Sequence, residues 1–177
     1  TDVCEGDLTG DVLLGGDSVD TGAVGDYVVT YDVVDTAGNA AVQRRRIIQV
    51  RDTVAPVLEL TGGDMVLECG SAFADPGATA SDDVDGDLTG AIVVTGTVTP
   101  GAPGLYTLTY SVQDAGGNQA PVRTRDVTVQ DTQAPSMLLY GAGTVHLAVG
   151  ADYVEAGASA TDICDTDLPG ITVDSGG

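Results

Sequence analysis

Apolar and polar positions alternate along this chain with the two-residue period of half-buried strands. From Tyr106 to Val112 the apolar residues Tyr106, Leu108, Tyr110 and Val112 interleave with Thr107, Thr109 and Ser111. Successive strand side chains point to opposite faces, so this pattern predicts a strand with one buried side. Tyr27, Val29, Tyr31 and Val33 repeat it. Further strands are predicted at Val57–Leu60, Met65–Glu68, Ala91–Thr95 and Arg123–Val129, with Ala78–Ala80 leading into an acidic loop at 81–87. Thr144–Leu147, which carries the sole histidine, His146, also reads as a strand. Gly-Gly-Asp, Asp-Ala-Gly-Gly-Asn and similar turn signals punctuate these runs. No long helical pattern occurs, which excludes an α/β fold. About seven short strands in about 80 residues predict a β-sandwich.

The pattern recurs. Thr1-Asp-Val-Cys-Glu-Gly-Asp-Leu-Thr-Gly10 returns at Ser81–Gly90 and again at Thr161–Gly170, 80 residues apart each time. Asp52-Thr-Val-Ala-Pro56 returns at Asp131–Pro135, and Asp35-Thr-Ala-Gly-Asn39 at Asp114–Asn118, both 79 residues on. That period is too long for a solenoid and suits a small autonomous domain. The implied organisation is the C-terminal part of one repeat at 1–52, a complete repeat at 53–131 and the N-terminal part of a third at 132–177. The incomplete copies would expose unpaired strand edges. A longer array, favoured here, would remove those edges; so would head-to-tail complementation between neighbouring copies, which would build a filament.

Composition narrows the partners. The 177 residues hold 27 Asp and Glu against six Lys and Arg, a net charge of −21. Such a surface repels phosphate backbones and anionic lipid, so nucleic-acid binding is excluded as a reading. There is no apolar run near 18 residues, hence no predicted membrane span. The acidity suits an extracellular protein that holds divalent cations, or one kept soluble by its charge. All six arginines (Arg44, Arg45, Arg46, Arg51, Arg123 and Arg125) sit in or beside predicted last strands. Cross-strand pairing with acids on a solvated face is the expectation, with docking onto an acidic loop of an adjacent molecule as the alternative.

Cys4 and Cys164 occupy the same repeat position, where the middle copy has Val84; Cys69 lies in Leu67-Glu-Cys-Gly70, whose counterpart is Leu147-Ala-Val-Gly150. No copy therefore holds both cysteines. Cys4 could pair with a residue before Thr1, while Cys69 and Cys164 have no in-register partner and are read as free or bonded to a neighbouring molecule. No Cys or Cys/His spacing suggests zinc.

Five ordered motifs carry a resemblance: Asp-Thr-x-Ala-Pro, Ala74-Asp-Pro-Gly-Ala-Thr-Ala80, Asp-Gly-Asp-Leu-Thr, Gly-x-Tyr-x-x-x-Tyr and Asp-x-Ala/Gly-Gly-Asn. Together they resemble bacterial immunoglobulin-like surface repeats of the hyalin-repeat (HYR) or cadherin-like type. The resemblance implies tandem Ig-like, Greek-key β-sandwiches at the cell surface or outside the cell, with a stalk or adhesive role. Gly25-Asp-Tyr27 and Gly104-Leu-Tyr106 fit a tyrosine corner, or else two large core residues. The resemblance also implies a disulfide between the Glu-Cys-Gly position and the acidic-loop cysteine, a pair that Val84 and Val149 interrupt.

Candidate chemistry is a set of oxygen ligands at the repeat junctions. Asp52, Asp82, Asp85, Asp87, Asp114 and Asn118 are expected at one such end, and Asp131, Asp162, Asp165 and Asp167 at the next. Ca²⁺ takes six to eight oxygens, so these sets are chemically sufficient. Asp83 is passed over because Val3 and Ile163 replace it. An EF-hand is rejected, since Leu88 stands where the loop needs glycine. The opposing reading is that Asp and Asn cap turns. Catalysis has little support: His146 has no companion, and no nucleophile–base set is in register. The expected function is a non-enzymatic structural or adhesive array with Ca²⁺-stiffened junctions. Its partners would be neighbouring copies and cell-surface or matrix ligands. The alternative is a carbohydrate-binding or spacer module of a secreted enzyme, against which the lack of Trp weighs.

Overall fold

A computed structural model describes residues 4–165. In chain order the strands are β1 (Leu13–Gly16), β2 (Gly25–Asp32), β3 (Arg44–Val50), β4 (Val57–Leu60), β5 (Met65–Glu68) and β6 (Ala78–Asp82). They continue as β7 (Gly86–Asp87), β8 (Val93–Thr95), β9 (Gly104–Ser111), β10 (Arg123–Gln130), β11 (Ser136–Leu139) and β12 (Ala158–Thr161). Two 3₁₀ turns, Thr9–Asp11 and Thr89–Ala91, are the helical elements among the described residues. Among the described residues, no helix is long and apolar enough to cross a membrane. The chain divides into two compact units, Thr1–Ala55 with Asp114–Asn118, and Pro56–Gln113 with Gln119–Gly177.

The first unit is an antiparallel sheet in the order β1-β2-β3. The alternating residues Tyr27, Val29, Tyr31 and Val33 reach only half-burial. Tyr27 donates its hydroxyl to Ala23 O at 2.9 Å. Asn118 Nδ2 donates to Asp52 O at 3.3 Å. A Cβ on Gly116 would stand 3.2 Å from that same carbonyl oxygen, and Ala37 holds the equivalent sequence position.

In the second unit, a three-stranded sheet, β4-β6-β7, faces a four-stranded sheet, β5-β10-β9-β8. All neighbours are antiparallel except β5 and β10, which run parallel from Met65↔Val127 to Glu68↔Gln130. Leu58 and Ala80 from one sheet meet Leu108 and Tyr110 from the other, and Val112 and Ala120 complete the cluster. This is the predicted sandwich, and the predicted face of β9 is the buried one. The hydroxyl of Tyr106 donates to Ala102 O at 2.8 Å, so both tyrosine corners are formed.

The arginines depart from expectation at one position. Arg44, Arg45 and Arg46 are exposed and Arg51 pairs with Asp26, on a solvated face. Arg125 is completely buried. Its strand alternates Arg125, Val127 and Val129 inward, so the guanidinium enters the sandwich with the valines. There Nη1 pairs with Asp75 and donates to the Tyr110 hydroxyl at 2.8 Å. Nη2 donates to Thr61 O at 2.7 Å and Gly77 O at 3.1 Å, and Nε to Gly63 O at 3.1 Å. The cation also lies over the Tyr110 ring, 5.4 Å from its centroid. A buried charge is tolerable only when paired and fully hydrogen-bonded; Arg125 meets both conditions.

The strand predicted at Thr144–Leu147 does not form. Its sequence counterpart β5 is held by parallel pairing with β10, and no described strand pairs with 144–147. Among the described residues after Asp131, the strands are the antiparallel hairpin β11–β12, paired from Ser136↔Thr161 to Leu139↔Ala158. Met137 is 72% exposed where its counterpart Leu58 is 2% exposed, and among the described residues no second sheet faces β11–β12.

Replacing Arg125 by Met strands the Asp75 carboxylate and the Tyr110 hydroxyl. Chemical denaturation should show a loss of about 3 kcal/mol for Arg125→Met, and less than about 0.5 kcal/mol for Arg46→Met, its exposed counterpart. Burial, then the Asp75 hydrogen bond, raises the Tyr110 pKa from 10.0 to about 12. A raised folded-state pKa gives stability that is complete below pH 10 and lost as pH rises toward 12. An ultraviolet phenol titration should show a phenol ionising near pH 12 that is lost in Tyr110→Phe.

Candidate metal centre

The acidic loops are built by the turn chemistry of aspartate. Asp82 Oδ1 accepts Val84 N at 2.8 Å and Asp85 N at 3.1 Å. Asp162 Oδ1 accepts Cys164 N at 2.8 Å and Asp165 N at 3.2 Å. Each leaves its second oxygen outside the turn. Asp87 Oδ1 accepts Thr89 N at 2.9 Å, and the backbone and hydroxyl bonds from Thr89 hold its carboxyl below the usual 3.8. Asp7 does the same with Thr9. Glu5, the counterpart of Asp85, accepts Thr36 N at 3.1 Å.

Asp114 is consumed locally. Its Oδ1 accepts Asn118 N at 2.7 Å and its Oδ2 accepts Asn118 Nδ2 at 2.8 Å. Burial pushes its pKa up, but the Asn118 and glycine N–H bonds together outweigh that and hold it below 3.8. Asp35 and Asn39 form the same pair, at 2.7 Å for both bonds. These residues are turn formers.

Two orphan oxygens stand out among the described residues: Asp52 Oδ2 and Asp82 Oδ2 are shut off from solvent with no hydrogen-bond partner. Each residue's Oδ1 is already spent on its own loop, in the case of Asp52 on Val54 N at 3.0 Å. An unsatisfied buried carboxylate oxygen is costly and marks a place where water or a cation is wanted. Asp52 belongs to the first unit, while Asp82, Asp85 and Asp87 belong to the second.

Within the second unit, Asp131 and Asp162 converge. One carboxylate oxygen of each, together with Cys164 Sγ, lie within 4.8 Å of one another. The sulfur is not a thiolate: Cys164 is bonded to Cys69, with 6.1 Å between the Cα atoms. The donor set is thus two hard carboxylates, the chemistry of Ca²⁺ or Mg²⁺ rather than zinc. Asp165 lies beside this pair in sequence but is not in the close group, and Asp167 lies outside the described residues.

The disulfide corrects the reading of Cys69 and Cys164 as lacking a partner: they bond each other, across 95 residues. The cause is the parallel β5–β10 pairing, which carries the end of β5 to the end of β10, where the last segment begins. Cys69 N donates to Gln130 O at 2.8 Å. Glu68 accepts Thr132 N at 2.8 Å on Oε1 and Thr132 Oγ1 at 2.9 Å on Oε2. A Cβ on Gly70 would come within 2.6 Å of Ile163 Cγ2. Residues 68–70, 130–132 and 162–164 therefore make one built seam. Sequence reasoning missed Glu68 and Thr132 as parts of it.

A family model described as "Bacterial surface protein, Ig-like domain" matches residues 1–50 and 58–129. The chain belongs to this family. The hyalin-repeat and cadherin-like subtype is not what the match names. The bacterial surface Ig-like chain is also 29% identical over 126 residues to the pesticidal crystal protein Cry22Aa of Bacillus thuringiensis, covering 68% of the chain and 17% of that protein. It therefore spans under a fifth of that relative's length. Among solved structures it is similar to the lipoprotein BT2262 from Bacteroides thetaiotaomicron, at 34% identity, 45% of this chain, 39% of that chain and a TM-score of 0.41. A structure of CBM51-2 in complex with GlcNAc and INT domains from Clostridium perfringens ZmpB matches at 23% identity, 50% of this chain, 21% of that chain and a TM-score of 0.37.

Closing a loop of roughly 100 residues is worth about 4.7 kcal/mol in the chain-entropy account, with measured values of 2–5 common. Cys69→Ser should expose the β11–β12 hairpin to protease and speed its amide exchange, while the β9 and β10 amides keep their protection. Non-reducing peptide mapping should recover Cys69 and Cys164 in one linked fragment.

Proposed function

We propose that the chain is a non-catalytic piece of an extracellular, structural or adhesive array. Its Ig-like segments (1–52, 53–131 and 132–177) would be joined by stiff seams, with Ca²⁺ held by seam carboxylates. The observation that carries this reading is the seam itself. A disulfide and the Glu68–Thr132 bonds fix the end of one segment to the start of the next, beside the converging pair Asp131 and Asp162. Enzymes spend such precision on clefts; here it is spent on the connection between segments. Membership in a bacterial surface family and a disulfide both support a place outside the cytoplasm.

Asp131 and Asp162 each use Oδ1 for a local turn and retain a second oxygen for a cation. Asp52 and Asp82 hold the same sequence positions one copy earlier, and both carry an orphan buried Oδ2. Two carboxylates fall short of the six to eight oxygens Ca²⁺ takes, so backbone carbonyls and water supply the rest. Asp85, Asp87 and Asp165 are further candidate donors, whereas both carboxylate oxygens of Asp114 accept from Asn118. A carbohydrate-binding role has less behind it: the chain has no Trp, and Tyr27, Tyr106 and Tyr110 serve corners and core.

Linkage sets the expected size of the calcium effect. With free Ca²⁺ about 100-fold above Kd, binding to the folded state alone adds about 2.7 kcal/mol. Calcium should therefore raise the melting temperature of the full chain and excess chelator reverse it, with the shift reduced in Asp131→Asn and Asp162→Asn. A melt indifferent to both calcium and chelator overturns the calcium assignment.

A further inference from the structure

The disulfide at the seam sits in a field of fixed negative charge. One carboxylate oxygen of Asp131, one of Asp162 and the sulfur of Cys164 all lie within 4.8 Å of one another. Both acids are pinned by their own turns: Asp131 Oδ1 accepts Gln133 N at 3.1 Å, and Asp162 Oδ1 accepts Cys164 N at 2.8 Å. Among the described residues no arginine lies within ion-pair range of either acid. The chain has no lysine to take that place. The two charges therefore stay beside the sulfur.

The two sulfurs are not equally open. Cys69 is 5% exposed, and Ile163 covers the adjacent Gly70, its Cγ2 standing 2.6 Å from where a Cβ would be. Cys164 is half-buried and is the sulfur a reagent reaches. The complete sandwich leaves the same position open: Val84, the counterpart of Cys164, is 55% exposed. Reduction by a small thiol begins with its thiolate. The thiolate sulfur bonds to Cys164 Sγ, the bond to Cys69 breaks, and the electron pair leaves on Cys69 as a thiolate. A second thiolate then attacks the outer sulfur of the mixed disulfide and expels Cys164 as a thiolate. The products are one small-molecule disulfide and two cysteine thiolates, which take their protons from water.

We propose that Asp131 and Asp162 guard the seam disulfide electrostatically, turning away thiols that carry a further negative charge. A plain thiolate brings one negative charge to Cys164. A carboxylate or sulfonate on the same molecule makes it two, and an ammonium group brings the sum to zero. At about 5 Å in water, each carboxylate slows an approaching unit negative charge by a factor of about four. The pair therefore discriminates among reductants by charge, at a bond whose other sulfur is closed off by burial. This goes beyond the array reading, since it concerns the reactivity of the seam, and it does not depend on calcium.

The test treats the full chain, in low-salt buffer with chelator so that no cation screens the pair, with 2-mercaptoethanesulfonate, 2-mercaptoethanol or cysteamine. Non-reducing peptide mapping follows the loss of the linked Cys69–Cys164 fragment. Rates are corrected for thiolate fraction and referred to the same thiols acting on hydroxyethyl disulfide. Cysteamine should then outpace the sulfonate by about tenfold, with mercaptoethanol between them. At about 1 M salt, where the Debye length is about 3 Å, the spread should shrink to about twofold. Asp131→Asn and Asp162→Asn keep the turn-forming oxygen, and each should narrow the low-salt spread by about threefold, with circular dichroism confirming the fold. Equal corrected rates for the three thiols on the wild type at low salt overturn the proposal. So does a rate independent of thiol concentration, which would mean that opening of the seam sets the pace. Folded Asn variants that keep the wild-type spread overturn it as well. None of these results touches the calcium melt.

Discussion

One buried cation organises the sandwich. The guanidinium of Arg125 ties together the 61–63 loop, the 75–77 loop and the β9–β10 hairpin. Its hydrogens go to one carboxylate, one hydroxyl and three backbone carbonyls. Those loops are rich in glycine and pack little apolar surface of their own. Two facing sheets with a core of only a few large side chains need such a fastener, because hydrophobic area alone leaves small domains marginal.

Among the described residues the fastener is complete in the sandwich of the second unit. Where all its parts are present, Leu58, Tyr110 and Val127 are shielded from solvent. At the equivalent positions elsewhere, Tyr31 is half-buried and Met137 exposed, and no described strand pairs with 144–147. The seam follows from the topology in turn. Parallel pairing of β5 with β10 delivers Glu68 and Cys69 to the point where the next segment starts. Fold and connection are thus fixed by a few polar and covalent contacts laid over a thin apolar core.

Much of this was legible in the residues. The strict alternation of 106–112 placed β9 and its buried face, and Gly-x-Tyr marked both corners. The acidic loops were found, though not which oxygens are spare: both carboxylate oxygens of Asp114 are taken by Asn118, four residues away. Arg125 was misplaced because arginine is usually solvated. The signal was present, since Arg125 shares the inward parity of Val127 and Val129. The Cys69–Cys164 bond was hidden for a different reason. Comparing copies in register matches positions within a segment, whereas this bond joins adjacent segments and depends on a parallel pairing that no local pattern announces.

The central claim is that a fully enclosed Arg125 holds the sandwich shut. Guanidinium NMR on uniformly ¹⁵N-labelled chain tests it most directly, since solvent exchange of each arginine Nε–H reports its own enclosure. The account predicts that Arg125 exchanges orders of magnitude more slowly than exposed Arg44 and Arg45. Exchange of Arg125 at the rate of those surface arginines would contradict it.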